Sequence, residues 1–144
     1  MKPEEFQKCS NIWDMERHRD LAERFLSELQ SGNRLTWVYE QDGHFLGEIS
    51  MVKNTSDPDY TIPGRRIYVS RLIVRKENRR QGIGKALVEY AISHAAEMGY
   101  SEMSIGVDMD NYGALRLYTA AGFREILFLG EDADGRYFKL LKRL

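Results

Sequence analysis

Apolar residues recur at Ile12, Met15, Leu21, Phe25, Leu26 and Leu29, a helical spacing over residues 12–29 that Ser31-Gly32 can end. Residues 35–40 and 45–52 then flank Asp42-Gly43, a two-residue turn signal, and predict a β-hairpin. Residues 53–65 hold Asn54, Asp57, Pro58, Asp59, Pro63 and Gly64 and predict a long loop. Residues 66–74 are rich in β-branched and aromatic side chains and predict a strand. A second helix follows over 83–98, with Ile83, Leu87, Ala91, Ala95 and Met98 on one face and Gly99 placed to end it. A short strand over 103–107, a short helix over 112–121 closed by Gly122, and a second hairpin (125–129 and 136–141 around Asp134-Gly135) complete the chain. The order α, β-β, β, α, β, α, β-β is a mixed α/β (α+β) fold. Hairpins at both ends exclude a purely doubly wound parallel sheet.

Composition changes this picture little. The 144 residues fit one domain spanning the whole chain, and 42% apolar residues suffice for a core. Lys plus Arg number 21 against 22 Asp plus Glu, so no global field recruits nucleic acid or an anionic membrane. Phosphate binding, if present, must be local. Cys9 is the single cysteine, and with no signal-like apolar run this predicts a reduced, cytoplasmic protein. His18, His44 and His94 lack ligand spacing and predict no metal.

The informative stretch lies between the strand ending at Val74 and the long second helix: Arg79-Arg80-Gln81-Gly82-Ile83-Gly84-Lys85. Helix N-termini offer unpaired N–H groups and a positive dipole end, and glycines let the backbone approach an anion closely. Arg79, Arg80 and Lys85 can add charge-assisted contacts. Two nucleotide readings fail. A dinucleotide fingerprint needs a small residue where Leu87 stands. A triphosphate loop needs Ser or Thr where Ala86 follows Lys85.

After Leu72-Ile73-Val74, the Arg-x-x-Gly-x-Gly pattern resembles the coenzyme A loop of the GNAT superfamily of N-acetyltransferases. Asn111-Tyr112-Gly113-Ala114-Leu115-Arg116-Leu117-Tyr118-Thr119-Ala120-Ala121-Gly122-Phe123 is similar to that family's later motif, Asn-x-x-Ala-x-x-Leu-Tyr-x-x-x-Gly-Phe. Two motifs in order, separated by a helix and a strand, are more specific than either alone. The similarity runs from about Ile67 to Phe123. It implies a central, mostly antiparallel twisted sheet with a splayed parallel strand pair, flanked by about four helices. It also implies acetyl-CoA as cosubstrate and an amine acceptor, small or peptidic, attacking the thioester directly. A homodimer through the C-terminal hairpin belongs to the same expectation.

By the resemblance, the backbone of Leu72, Ile73 and Val74 pairs with the pantetheine arm, and residues Arg79 to Lys85 hold the pyrophosphate. A backbone N–H near Val74 polarises the thioester carbonyl. Tyr118 is the general acid for the departing thiolate. Asn111 contacts the pantetheine arm or caps its helix, for which Asn is a preferred residue. The base has two candidates. Ribosomal-protein alanine acetyltransferases of this family carry Glu five residues before the motif Asn, where this chain has Gly106. Asp108 lies two residues further on the same strand face, and Glu48 lies in the first hairpin. Arg71, odd in an apolar strand, faces the acceptor pocket or solvent. Asp57, Asp59, Tyr60 and Asp110 either form an acidic acceptor surface or line a polar loop. A coenzyme-binding module without catalysis is the rival reading.

Overall fold

The computed structural model describes residues 1–144. A 3-10 helix at Pro3–Asn11 leads into α1 (Arg19–Ser31). Strands β1 (Arg34–Gln41), β2 (His44–Val52) and β3 (Arg66–Val74) precede α2 (Ile83–Glu97), with a 3-10 turn at Lys76–Asn78. Then come β4 (Glu102–Asp108), α3 (Tyr112–Ala120), β5 (Glu125–Asp132) and β6 (Gly135–Arg143). All six strands form one sheet in the order β1-β2-β3-β4-β6-β5, as the mixed α/β reading expects. The first hairpin turns where Asp42 (φ 53) and Gly43 (φ 80) both adopt left-handed backbone, the type I′ requirement.

The single parallel pair is β3 with β4, and it is short. Pairing runs from Arg66 opposite Glu102 to Val69 opposite Ile105. Beyond that point Leu72, Ile73 and Val74 stay on β2, while Val107 and Asp108 stay on β6. The two strands therefore part into a V that opens towards their C-terminal ends. The base of the V is fixed by charge: buried Glu102 accepts from Arg65 at 2.6 Å and Arg66 at 2.9 Å. Two cations beside one carboxylate hold Glu102 below the usual range despite its burial.

Helix α2 covers one face of the sheet with Ile83, Leu87, Val88, Ala91 and Ala95. Gly47 permits that approach, since a Cβ there would lie 3.1 Å from Ile83 and 3.2 Å from Leu87. The N-terminal 3-10 helix, the turn after it and α1 bury Phe6, Cys9, Trp13, Phe25 and Leu29 in a second core with Phe45. Here the structure corrects the sequence reading of one helix over 12–29. Helix α1 begins only at Arg19, and the 3-10 helix before it carried no readable signal. Asp14 Oδ1 accepts from the Arg17 N–H at 3.0 Å, a local turn that competes with helix. Ile12 and Met15 are buried as the pattern suggested, but from a turn.

Candidate active site

Two cavities adjoin at α3, one lined by the end of β3 and the other by β4. The first, about 560 Å³, runs between the end of β3 and the start of α2. Leu72, Ile73, Val74, Arg79, Arg80, Gly82, Ile83, Gly84, Lys85, Asn111 and Tyr118 line it, together with Asn78, Ala114 and Leu117. Of the residues assigned to the coenzyme from sequence, only Gln81 does not line this cleft; it is exposed.

Local geometry explains the cleft's form. Gly82 is the N-cap of α2 in left-handed conformation (φ 82), and no side chain caps the helix. The first-turn N–H groups thus have no partner within the helix and meet the cleft at Ile83, Gly84 and Lys85. Arg80 is also left-handed (φ 64), a conformation that costs a non-glycine residue about 1–2 kcal/mol. Arg79 Nε donates to the Val74 carbonyl at 3.1 Å, tying the loop back to the strand. Gly84 keeps the floor open: a Cβ would sit 3.5 Å from Leu117, and anything longer would enter the cleft. A bare helix end, a glycine floor and three cationic side chains fit a linear ligand carrying phosphates.

The second cavity, about 480 Å³, is lined along β4. Its walls are Asp57 and Tyr60 from the loop over 53–65, Tyr68 from β3, Gly106 and Asp108 from β4, and Asp132, Tyr137 and Lys139 from β5 and β6. Asn111, Ala114 and Tyr118 line both cavities, so α3 marks where they meet. The Tyr118 side chain is buried against Phe123, and burial pushes its phenol up to about 12. Asn111 caps α3, its side chain accepting from Ala114 N at 3.2 Å. The cap reading of Asn111 is thus visible, and it places the residue at the cavity junction as well.

The two base candidates separate. Asp108 is exposed within the second cavity, on the same face as Gly106. Glu48 lines neither cavity. It is 2% exposed and paired with Arg71 at 3.3 Å, beneath the N-terminal 3-10 helix. Burial raises its carboxyl above the ordinary range, while the Arg71 charge pulls the other way. Arg71 in turn stacks on Trp13 at 4.4 Å. It lines neither cavity and is half-buried against the second core.

Sequence reasoning left the second cavity's far wall unassigned. Lys139, Tyr68 and Tyr137 come from strands with no local motif. Lys139 Nζ reaches Asp57 at 2.8 Å and Asp59 at 3.2 Å, which ties the long loop to β6. Asp59 adds its main chain, accepting from Arg66 at 3.0 Å. The loop is a fixed wall of the cavity rather than a free surface segment. Asp110 lies outside both cavities.

The sheet thus has one splayed parallel pair, an uncapped helix end at the mouth of the V and a second cavity that shares α3 with the first. Residues 3–123 match the acetyltransferase (GNAT) family, and the chain belongs to it. It is 33% identical over 108 residues to the rat N-acetyltransferase family 8 member 3, covering 75% of this chain and 46% of that protein. The chain thus spans about half the length of the curated relatives it matches. Among solved structures it resembles an aminoglycoside 6'-N-acetyltransferase complexed with coenzyme A, with a TM-score of 0.75 at 15% identity over 96% of this chain and 89% of that one. It also resembles a GNAT family acetyltransferase from Elizabethkingia anophelis with acetyl-CoA bound, with a TM-score of 0.70 at 18% identity over 88% and 83%. At these identities the likeness is one of fold. No helix is long and apolar enough to cross a membrane.

Proposed function

We propose that this domain transfers the acetyl group of acetyl-CoA to a primary amine by direct attack within a ternary complex. The observation that carries the reading is the meeting of the two cavities at Asn111, Ala114 and Tyr118, where β3 and β4 have parted. A coenzyme lying along Leu72, Ile73 and Val74 presents its thioester at that junction. An amine in the second cavity then approaches from the other side. The solved neighbours named for aminoglycoside 6'-amines support an amine acceptor.

The proton balance assigns the remaining roles. Delivering a neutral alkylamine at pH 7 from a pKa near ~10.4 costs about 4.6 kcal/mol. Asp108, exposed on the cavity wall, collects the ammonium proton directly or through water. As the C–N bond forms and the C–S bond breaks, the sulfur leaves with the electron pair and takes the Tyr118 proton, and the second proton shed by the acylated nitrogen returns through water to the Tyr118 oxygen. A phenol pushed up to about 12 keeps its proton across the working range, so the hydroxyl is there to meet the charge that develops on sulfur. Glu48, paired to Arg71 and shut away from both cavities, supports the strand instead. A homodimer through β5 accompanies this reading, since that edge strand exposes Ile126, Phe128 and Leu129. Sedimentation would read it directly.

The test is to incubate the protein with acetyl-CoA and an amine library of polyamines, aminoglycosides and N-terminal-alanine peptides, following release of the free thiol. Turnover on one class names the acceptor. Tight coenzyme binding with no turnover on any amine would instead assign a coenzyme-sensing module.

A further inference from the structure

The β4 residue just past the end of parallel pairing is Gly106, and its missing side chain is occupied space. A Cβ at Gly106 would overlap the Tyr60 hydroxyl and lie 3.4 Å from Tyr60 Cζ. The loop over 53–65 thus seats a phenol from outside the sheet on the vertex of the V. Much in the fold serves to hold it there. The Tyr60 ring stacks on Tyr68 with centroids 4.1 Å apart and planes 20° from parallel. Lys139 Nζ stands 5.0 Å from the ring centroid while bound to Asp57 and Asp59 on either side. Ser104, on β4 itself, donates to the Tyr60 carbonyl at 2.5 Å. The Tyr60 N–H donates to the Asp57 carbonyl at 3.0 Å. The ring and backbone are fixed, whereas the hydroxyl, seated against Gly106, makes no hydrogen bond within the protein, and both residues line the second cavity. A clamped side chain with a free polar end at the cavity's vertex is preorganised for a ligand.

We propose that the Tyr60 hydroxyl is the group that binds and orients the acceptor amine, a role that rests on the amine acetylation proposed above. Burial raises its phenol well above the ordinary range, so it stays neutral and takes no part as a base. A neutral phenol oxygen accepts one N–H of the amine. That leaves the nitrogen lone pair free to attack the thioester carbon across the V once Asp108, two residues along β4 from Gly106, has taken the ammonium proton. Tyr60 keeps its own proton throughout. Gly106 is then a specificity feature, a glycine whose absent side chain admits the orienting hydroxyl.

Tyr60→Phe keeps the ring on Tyr68 and removes only the oxygen. With spermidine, kanamycin and an N-terminal-alanine peptide as probes, it should raise the KM for the amine about tenfold. The KM for acetyl-CoA and the melting temperature should not move. Gly106→Ala should give a similar amine defect by displacing the hydroxyl. The double variant should be no worse than Tyr60→Phe alone, because the Ala fits once the oxygen is gone. A merely structural pair would not produce this confinement to the amine KM. An unchanged amine KM in Tyr60→Phe, or two substitutions whose effects multiply, would overturn the assignment while leaving acetyl transfer intact. If the wild-type protein released no thiol with any probe, amine acetylation itself would fall, and this role with it.

Discussion

Lys139 on β6 and Asp57 in the loop between β2 and β3 form a hydrogen-bonded ion pair at 2.8 Å across 82 positions of sequence. With Asp59 as the second acceptor, this contact turns a polar loop into one wall of the acceptor cavity. Lys139→Met should therefore free the loop. The amine KM should rise about tenfold through loss of a charge-assisted contact, with coenzyme affinity unchanged. Protease nicking within 53–65 should quicken. The pH dependence has a defined sign. Burial works to raise the Asp57 carboxyl, but the Lys139 hydrogen bond and charge outweigh it and hold the group below its ordinary value. The loop's attachment is then complete above the ordinary carboxylate range and is lost as pH falls through the lowered one. Nicking that stayed flat between neutral and strongly acidic pH would contradict the pairing.

Tyr118 is tested on the chemical step. Tyr118→Phe should lower kcat by roughly 10- to 1000-fold if the phenol protonates the leaving thiolate, while the coenzyme dissociation constant stays put. With its phenol pushed up to about 12 by burial, Tyr118 loses its proton only at the alkaline extreme. An alkaline fall in kcat below about pH 10 would have to come from another group, and it should persist in Tyr118→Phe. Disappearance of such a limb in the variant would show a far lower pKa and reject the buried setting.

The extent to which these features could be read from sequence follows from how local each one is. Helix α2 and the cleft loop are legible because Ile83, Leu87, Ala91 and Ala95 repeat within one helix and Gly82 and Gly84 sit side by side with the cations. The cap at Asn111 is equally local, bonding Ala114 three residues on. The acceptor cavity is different. Ser104 meets Tyr60 over 44 positions and Lys139 meets Asp59 over 80, and no spacing rule connects residues so far apart. Glu48 shows a second limit. Strand alternation gives its parity, but whether that face meets solvent or a 3-10 helix was invisible while the 3-10 helix itself had no signal. The helical spacing from Ile12 to Leu29 misled for a related reason: burial at a helical period can arise from a turn and a helix packed on one core.

Gly84 offers a test confined to the coenzyme. Gly84→Glu would project a carboxylate from a position where even a Cβ stands 3.5 Å from Leu117. Sterics and like charge both oppose a pyrophosphate there, so coenzyme affinity should fall by about 100-fold or more, given 1.4 kcal/mol per decade. Titration calorimetry with coenzyme A reads this without needing the acceptor. An unchanged dissociation constant would place the coenzyme elsewhere.

The pair Asp108 and Glu48 decides which carboxylate serves the amine. Asp108→Asn removes an exposed group from the cavity wall, so the melting temperature should hold while kcat falls about 10- to 1000-fold. Glu48→Gln acts on a buried residue and leaves the Arg71 guanidinium with Trp13 as its neighbour but without its carboxylate. Stability should drop by about 1–3 kcal/mol, with the pH profile of kcat retained. The two variants thus move different observables, one kcat and the other the melting curve. A Glu48→Gln protein that melts like wild type yet loses kcat, beside an Asp108→Asn protein that keeps it, would reverse the assignment. It would require the N-terminal 3-10 helix to open during turnover, since that segment packs over β2, where Glu48 lies.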